Sequence, residues 1–128
     1  MVIHQPSMTR QGLLTAKARL SKKNLSIPRL ELVAMHMAAN LCLNIKEAFH
    51  DKYEINFYGW TDSTVALHWV TGKGNYKQFV HNRANKIREK DFIKWRYVPT
   101  EKNPADLASR GCFPEKLNDD WIIGPNWL

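Results

Sequence analysis

The sequence has few of the features that mark secreted or membrane proteins. It contains two cysteines, Cys42 and Cys112, and their separation matches no zinc-binding spacing. We therefore expect reduced thiols in an intracellular protein, cytoplasmic or nuclear. No signal peptide is visible, and the most apolar run, Leu30 to Ile45, is interrupted by Glu31 and Asn40. That run predicts a buried helix and no membrane span.

Acidic residues are also scarce, and no aspartate precedes Asp51. The 128 residues include 19 lysines and arginines against 12 aspartates and glutamates, which gives a formal net charge of +7 at pH 7. A basic excess of this size favours a polyanionic partner, most simply nucleic acid. With 44% hydrophobic and 24% charged residues, the composition indicates one soluble globular domain.

Several catalytic motifs are missing. The sequence has no Gly-rich phosphate loop, no nucleophile elbow and no Cys–His arrangement, and its five histidines show no ligand spacing. These absences argue against P-loop, serine-hydrolase, thiol and zinc chemistry. Carboxylates remain as the candidate chemical groups.

Hydrophobic periodicity predicts an α/β chain in the order strand, strand, helix, strand, helix, helix, strand, helix. The predicted strands are 2–5, 12–20, 53–61 and 94–98, with a turn at Pro6 and Ser7 between the first two. The predicted helices cover about 30–49, 63–69, 76–91 and 104–110. Ser26 is expected to cap the first helix with Pro28 in its first turn, and positions 30, 34, 37, 38, 41, 45 and 48 are expected to form its apolar face.

Three carboxylates lie at helix starts or strand ends, where catalytic and ligand-binding residues are common. Glu31 lies near the start of the first helix, and Asp62 lies where the third strand gives way to a helix, the end at which open α/β sheets bind ligands. Asp106 lies in the first turn of the last helix, which Asn103 is predicted to cap and Gly111 to end. Each acid also has a structural alternative: a solvated glutamate that favours the helix dipole, a helix N-cap, and a capping box with Asn103, respectively.

A basic stretch runs from Lys73 to Arg96. It holds eight lysines and arginines against Glu89 and Asp91, and aromatic residues are interleaved with them. This combination suits contact with a phosphate backbone and packing on bases or sugars, and such binding should be sensitive to salt. The alternative is a solvated face of a basic helix.

Three segments carry a family resemblance: SIPRLEL around Glu31, WTDSTVALHWV around Asp62, and VPTEKNPADLASRG around Asp106. Together they resemble the RNase H-type domain of BEL/Pao retrotransposon polyproteins, over about Thr15 to Leu128. The closing GPNWL is similar to the segment that precedes the integrase in those polyproteins. The resemblance implies an RNase H-like mixed sheet flanked by helices in residues 1–111, followed by an aromatic tail or linker in residues 112–128.

The resemblance also implies a function. In that family four carboxylates hold two Mg²⁺ ions that assist hydrolysis of the RNA strand in an RNA–DNA hybrid. Glu31, Asp62 and Asp106 match three of the four as catalytic and metal-binding residues. The implied partners are the hybrid and, within a polyprotein, reverse transcriptase or integrase segments. The residues expected to bind nucleic acid are Ser63, Lys73, Lys77, Arg83, Lys86, Arg96 and Arg110.

The chain departs from the family pattern at the fourth acid. The family places it on the first strand, in a D-A-S or D-G-S segment, and Met1 is expected to follow that strand. The loop Thr100 to Lys102 also lacks the histidine that many cellular RNases H carry. Two alternatives to an active nuclease therefore stay open: a catalytically inactive nucleic-acid-binding module, and a retroelement fragment with no stable fold. A retroviral-type integrase core ranks lower, because its glutamate comes last.

Overall fold

The computed structural model describes residues 1–5 and 8–128 and shows a mixed α/β chain, as predicted. Its strands and α-helices are, in chain order, β1 (Val2–Gln5), β2 (Met8–Gln11), α1 (Ile27–Ala48), β3 (Phe57–Thr61), α2 (Thr64–Thr71), α3 (Gln78–Arg88), β4 (Ile93–Tyr97), α4 (Pro104–Arg110) and α5 (Asp119–Ile122). The turn predicted at Pro6 and Ser7 lies outside the described residues. None of the helices described is long and apolar enough to cross a membrane.

The chain divides into two compact units. Unit 1 combines Met1–Ala18 with Pro99–Leu128, and unit 2 is Arg19–Val98. Each unit contains one two-stranded sheet, antiparallel β1–β2 in unit 1 and parallel β3–β4 in unit 2. The strands of the implied mixed sheet are thus present as two separate pairs among the described residues.

The core of unit 2 forms where α1, α2 and α3 pack beside β3 and β4. Leu32 and Ile87 are its largest fully buried side chains, and Phe57, Val70 and Ile93 join the same cluster. In the sheet, Gly59 lies opposite Trp95. A side chain at position 59 would overlap the Trp95 ring, so only glycine allows this close approach.

The predicted apolar face of α1 is wrong in phase. The buried residues are Leu32, Met35 and Ala39, with Cys42 and Ile45 packed against the cluster, whereas Ala34 and Ala38 are exposed. Alanine is common on both buried and exposed sides of helices, so the two alanines do not indicate which side of α1 is buried. The helix itself begins one residue after Ser26, which occupies the N-cap position without a side-chain cap hydrogen bond.

Two strand predictions also need correction. Residues 12–20 form no strand, because β1 pairs with the shorter segment Met8–Gln11 and the chain then leaves the sheet. Strand β3 begins at Phe57 instead of Tyr53, because its partner β4 has only five residues with which to pair. Helix α3 is shorter than predicted and buries Val80, Ala84 and Ile87.

Unit 1 is held mainly by hydrogen bonds between distant parts of the chain. The Leu13 amide donates to the carbonyl of Ile122, 2.9 Å away. The Gln11 side chain donates to the carbonyl of Gly124 at 3.0 Å, and the Trp127 indole donates to the carbonyl of Lys102 at 3.2 Å. The C-terminal aromatic segment therefore folds back on earlier residues of unit 1.

Candidate nucleic-acid interface and carboxylate residues

Asp62 lies in a tight turn between β3 and α2. The buried Thr61 side chain accepts a hydrogen bond from the Ser63 amide at 3.2 Å, and the Ser63 hydroxyl accepts one from the Ala66 amide at 3.1 Å. Ser63 is therefore the N-cap of α2, and the alternative that Asp62 fills this position is wrong. Asp62 is left half-buried at the carboxyl end of β3, which is the position that the sequence predicted.

Asp106 lies in the first turn of α4, as predicted. Asn103 caps this helix by accepting from the Ala105 amide at 3.2 Å, and Gly111 ends it with a positive φ of 78°. The Asp106 carboxylate forms an ion pair with Arg110 one turn later, with Oδ2 2.9 Å from Nε. Two residues expected to contact a metal and a nucleic acid, respectively, thus bind each other.

Glu31 lies in the second turn of α1, half-buried and next to Leu32 in the chain. It belongs to unit 2 with Asp62, whereas Asp106 belongs to unit 1. Among the side chains that the structure describes, no three histidines, cysteines, aspartates or glutamates form a group that could hold a metal ion. The metal-binding role expected of Glu31, Asp62 and Asp106 therefore stays a prediction, and Asp106 Oδ2 is paired with Arg110.

A cationic cluster lies where α3 runs beside α1. We define it as Arg83, Lys86 and Lys90, which lie close enough to His36 of α1 for their charges to act on it. Burial lowers the pKa of His36 below its ordinary 6.5, and Lys90, Lys86 and Arg83 lower it further, in that order. This proximity shows that basic side chains separated along the sequence share one region of unit 2.

Phe79 extends this region towards the start of α1. The Arg83 guanidinium lies 3.8 Å from the centre of the Phe79 ring, and the Arg29 guanidinium lies 5.4 Å from it. Both distances are typical of cation–π contacts. Phe79 therefore lies between guanidinium groups from two different helices.

Other predicted nucleic-acid-binding residues lie elsewhere. Lys73 and Lys77 are exposed in the loop and at the N-cap before α3, while Arg96 is exposed on β4. Arg88 is not available to a ligand: its guanidinium donates to the carbonyls of Trp69 at 2.6 Å, Val70 at 2.8 Å and Gly72 at 3.1 Å. It closes the carboxyl end of α2 and fixes the loop that follows.

Sequence reasoning missed Arg29 and His36 as neighbours of the basic helix. Both lie on α1, more than forty residues before α3, and only the packing of the two helices brings them together. Phe79 could have indicated this contact, because it is an aromatic residue within a basic helix, where it is only half-buried. Such a ring commonly attracts guanidinium groups from neighbouring elements.

One comparison with known protein families finds a match. Residues 1–63 match the model of the Pao retrotransposon-like RNaseH-like domain. The match supports an RNase H-like domain of the Pao retrotransposon type over this segment. No curated protein and no solved structure matches the chain. The matched segment of the Pao-type RNase H-like domain includes Glu31 and Asp62, and the α/β arrangement is consistent with an RNase H-like fold that lacks a strand.

Proposed function

We propose that this Pao-type RNase H-like domain binds nucleic acid, with an RNA–DNA hybrid as its principal ligand, through the cationic cluster of α3. The observation that supports the proposal most strongly is the proximity of Arg83, Lys86 and Lys90 to His36, on which all three charges act. Neighbouring positive charges on α3 and just after it attract the closely spaced phosphates of a nucleic acid.

The residues around the cluster suit a phosphate backbone. Arg83 is oriented by its contact with Phe79, so its guanidinium loses less freedom on binding than a fully mobile side chain would. Lys90 donates to the carbonyl of Lys86 at 3.0 Å, which holds its ammonium group beside the helix end. Binding of this kind depends on charge and recognises backbone geometry more than base sequence.

The test is titration of a short fluorescein-labelled RNA–DNA hybrid at several KCl concentrations. The variant Lys86→Gln/Lys90→Gln should bind more weakly at low salt. If each lysine contacts one phosphate, the slope of log affinity against log salt concentration should become shallower by about 2. The matched control is Lys22→Gln/Lys23→Gln, which removes the same charge from two exposed lysines before α1.

Equal weakening in both double variants would contradict the proposal, because the effect would then come from net charge alone. The variant Asp62→Asn should bind the hybrid as tightly as the unmodified chain or slightly more tightly, since it removes a negative charge and leaves the cluster intact. A clear loss of binding in Asp62→Asn would assign the interaction to the carboxylate end of β3 instead.

Hydrolysis of the RNA strand is a second candidate, which the family match over residues 1–63 favours. The same labelled hybrid is incubated with Mg²⁺ or Mn²⁺ and the products are separated by size. Cleavage that disappears in Asp62→Asn would support this candidate. Absence of cleavage, or cleavage that survives Asp62→Asn, would reject it and leave the binding function standing.

A further inference from the structure

The two faces of the β3–β4 sheet differ sharply. Paired residues Phe57 and Ile93 are buried on one face, where α1, α2 and α3 cover them. Because side chains alternate along a strand, the residues that follow Phe57 on β3 and Ile93 on β4 point to the opposite face. We call this the outer sheet face and define it by the paired residues Tyr58 and Lys94, and Trp60 and Arg96.

The outer sheet face combines aromatic rings with cations. The Tyr58 and Trp60 rings lie 5.9 Å apart with an interplanar angle of 34°. The Arg96 guanidinium lies 4.8 Å from the centre of the Tyr58 ring, and the Lys94 ammonium lies 5.5 Å from it. Tyr58 is 38% exposed, and both cations are exposed. Parallel sheets are usually covered on both faces, so an exposed aromatic ring here is unusual.

We propose that the outer sheet face is a stacking platform for single-stranded nucleic acid. A single strand exposes the faces of its bases, which can stack on Tyr58, and carries phosphates that Lys94 and Arg96 can contact. A duplex hides its base faces between neighbouring pairs and can use only the cations. The platform is therefore specific for unpaired strands, in contrast to the cationic cluster of α3.

Charge and ring geometry together favour this ligand over an acidic peptide. An acidic peptide would satisfy Lys94 and Arg96 but would leave the Tyr58 ring without a planar partner. Both cations lie over the Tyr58 ring, so a strand whose phosphates they bind brings its bases to the same aromatic surface. This site shares no residue with the cationic cluster, so it can be tested separately.

The experiment measures binding of fluorescein-labelled oligo(dT) to the full chain. Tyr58→Ala should lower the affinity about 10-fold, as expected for loss of one stacked base, while Tyr58→Phe should retain it. The control is Tyr53→Ala, which removes a more exposed tyrosine, 69% accessible, from the segment before β3. Lys94→Gln/Arg96→Gln tests the same face without removing a ring and should make the slope of log affinity against log salt concentration shallower by about 1.4.

The proposal is overturned if Tyr58→Ala binds oligo(dT) normally while folded, or if Tyr53→Ala weakens binding equally. It is also overturned if poly-glutamate competes as well as oligo(dT), or if light scattering shows self-association that Tyr58→Ala abolishes. If Tyr58→Ala does not fold, the Lys94→Gln/Arg96→Gln result decides. A Lys86→Gln/Lys90→Gln background should leave the effect of Tyr58→Ala unchanged, which separates this site from the proposed hybrid-binding function.

Discussion

Units 1 and 2 contain similar kinds of elements but differ in what holds them together. All the buried hydrophobic residues described, from Leu32 to Val98, lie in unit 2. In unit 1 the buried residue among those described is Pro125, and large apolar side chains such as Leu13, Phe113 and Ile122 are at least half exposed. Among the described side chains, unit 2 therefore has a hydrophobic core, whereas distant parts of unit 1 are joined by hydrogen bonds.

This difference bears on function. The cationic cluster of α3 and the outer sheet face both lie in unit 2, on elements fixed by the core. Asp106, which the family resemblance assigns to a metal centre, lies in unit 1 on a helix of seven residues whose described residues are not buried. The two proposed binding surfaces therefore lie on better-packed elements than Asp106 does.

The largest difference expected between the units is in the free energy of unfolding that is lost when a leucine is shortened to alanine. Leu32→Ala removes a fully buried side chain from unit 2 and should destabilise the fold by about 2–5 kcal/mol. Leu13→Ala in unit 1 removes a side chain that is 50% exposed and should change stability by less than about 0.5 kcal/mol. Urea denaturation followed by circular dichroism compares the two.

Equal destabilisation by the two leucine variants would show that unit 1 has a core of its own in solution. Retention of the Leu13 backbone hydrogen bond to Ile122 in Leu13→Ala makes the comparison one of side-chain burial alone.

A smaller difference is expected between two arginines. Arg88→Ala in unit 2 removes donors to three backbone carbonyls and to the Asn85 side chain at 2.9 Å, and should cost about 2–3 kcal/mol. Arg110→Ala in unit 1 breaks one ion pair in which the arginine is 70% exposed, and should cost no more than about 1 kcal/mol. Thermal unfolding of the two variants provides the measurement.

Arg88→Lys serves as the control for charge. Lysine keeps the positive charge but has no planar guanidinium with which to reach three carbonyls. Most of the stability lost in Arg88→Ala should therefore also be lost in Arg88→Lys. Full stability in Arg88→Lys would mean that charge, and not the hydrogen bonds to α2, is what Arg88 supplies.

Local rules predicted much of the chain. The segment from Asn103 to Gly111 was predicted correctly in its cap, its first-turn proline and its final glycine, because each depends only on neighbouring residues. The strand-to-helix switch at Asp62 was also placed correctly, since a strongly alternating strand there meets a helix start. Pro104 begins α4 and Gly111 follows its last residue, and each residue type is favoured at that one position of a helix.

Features that depend on packing could not be predicted in this way. The buried side of α1 was misplaced because its alanines fit either side, and only contact with α3 and β3 decides which side is covered. The outer sheet face depends on the register of β3 against β4, which pairs residues 36 positions apart in the chain. Sequence alone placed Arg96 in a single basic stretch with Lys86, although the two belong to different surfaces.

An NMR titration of His36 tests whether nucleic acid binds at the cationic cluster of α3. In the free protein its pKa should lie below 6.5, because burial and the nearby lysines and Arg83 disfavour the protonated ring. Saturation with an RNA–DNA hybrid should raise that pKa, since phosphates offset the neighbouring cations, and binding should therefore tighten as the pH falls through the pKa of His36 in the complex. An unchanged His36 pKa in the saturated complex would contradict the account.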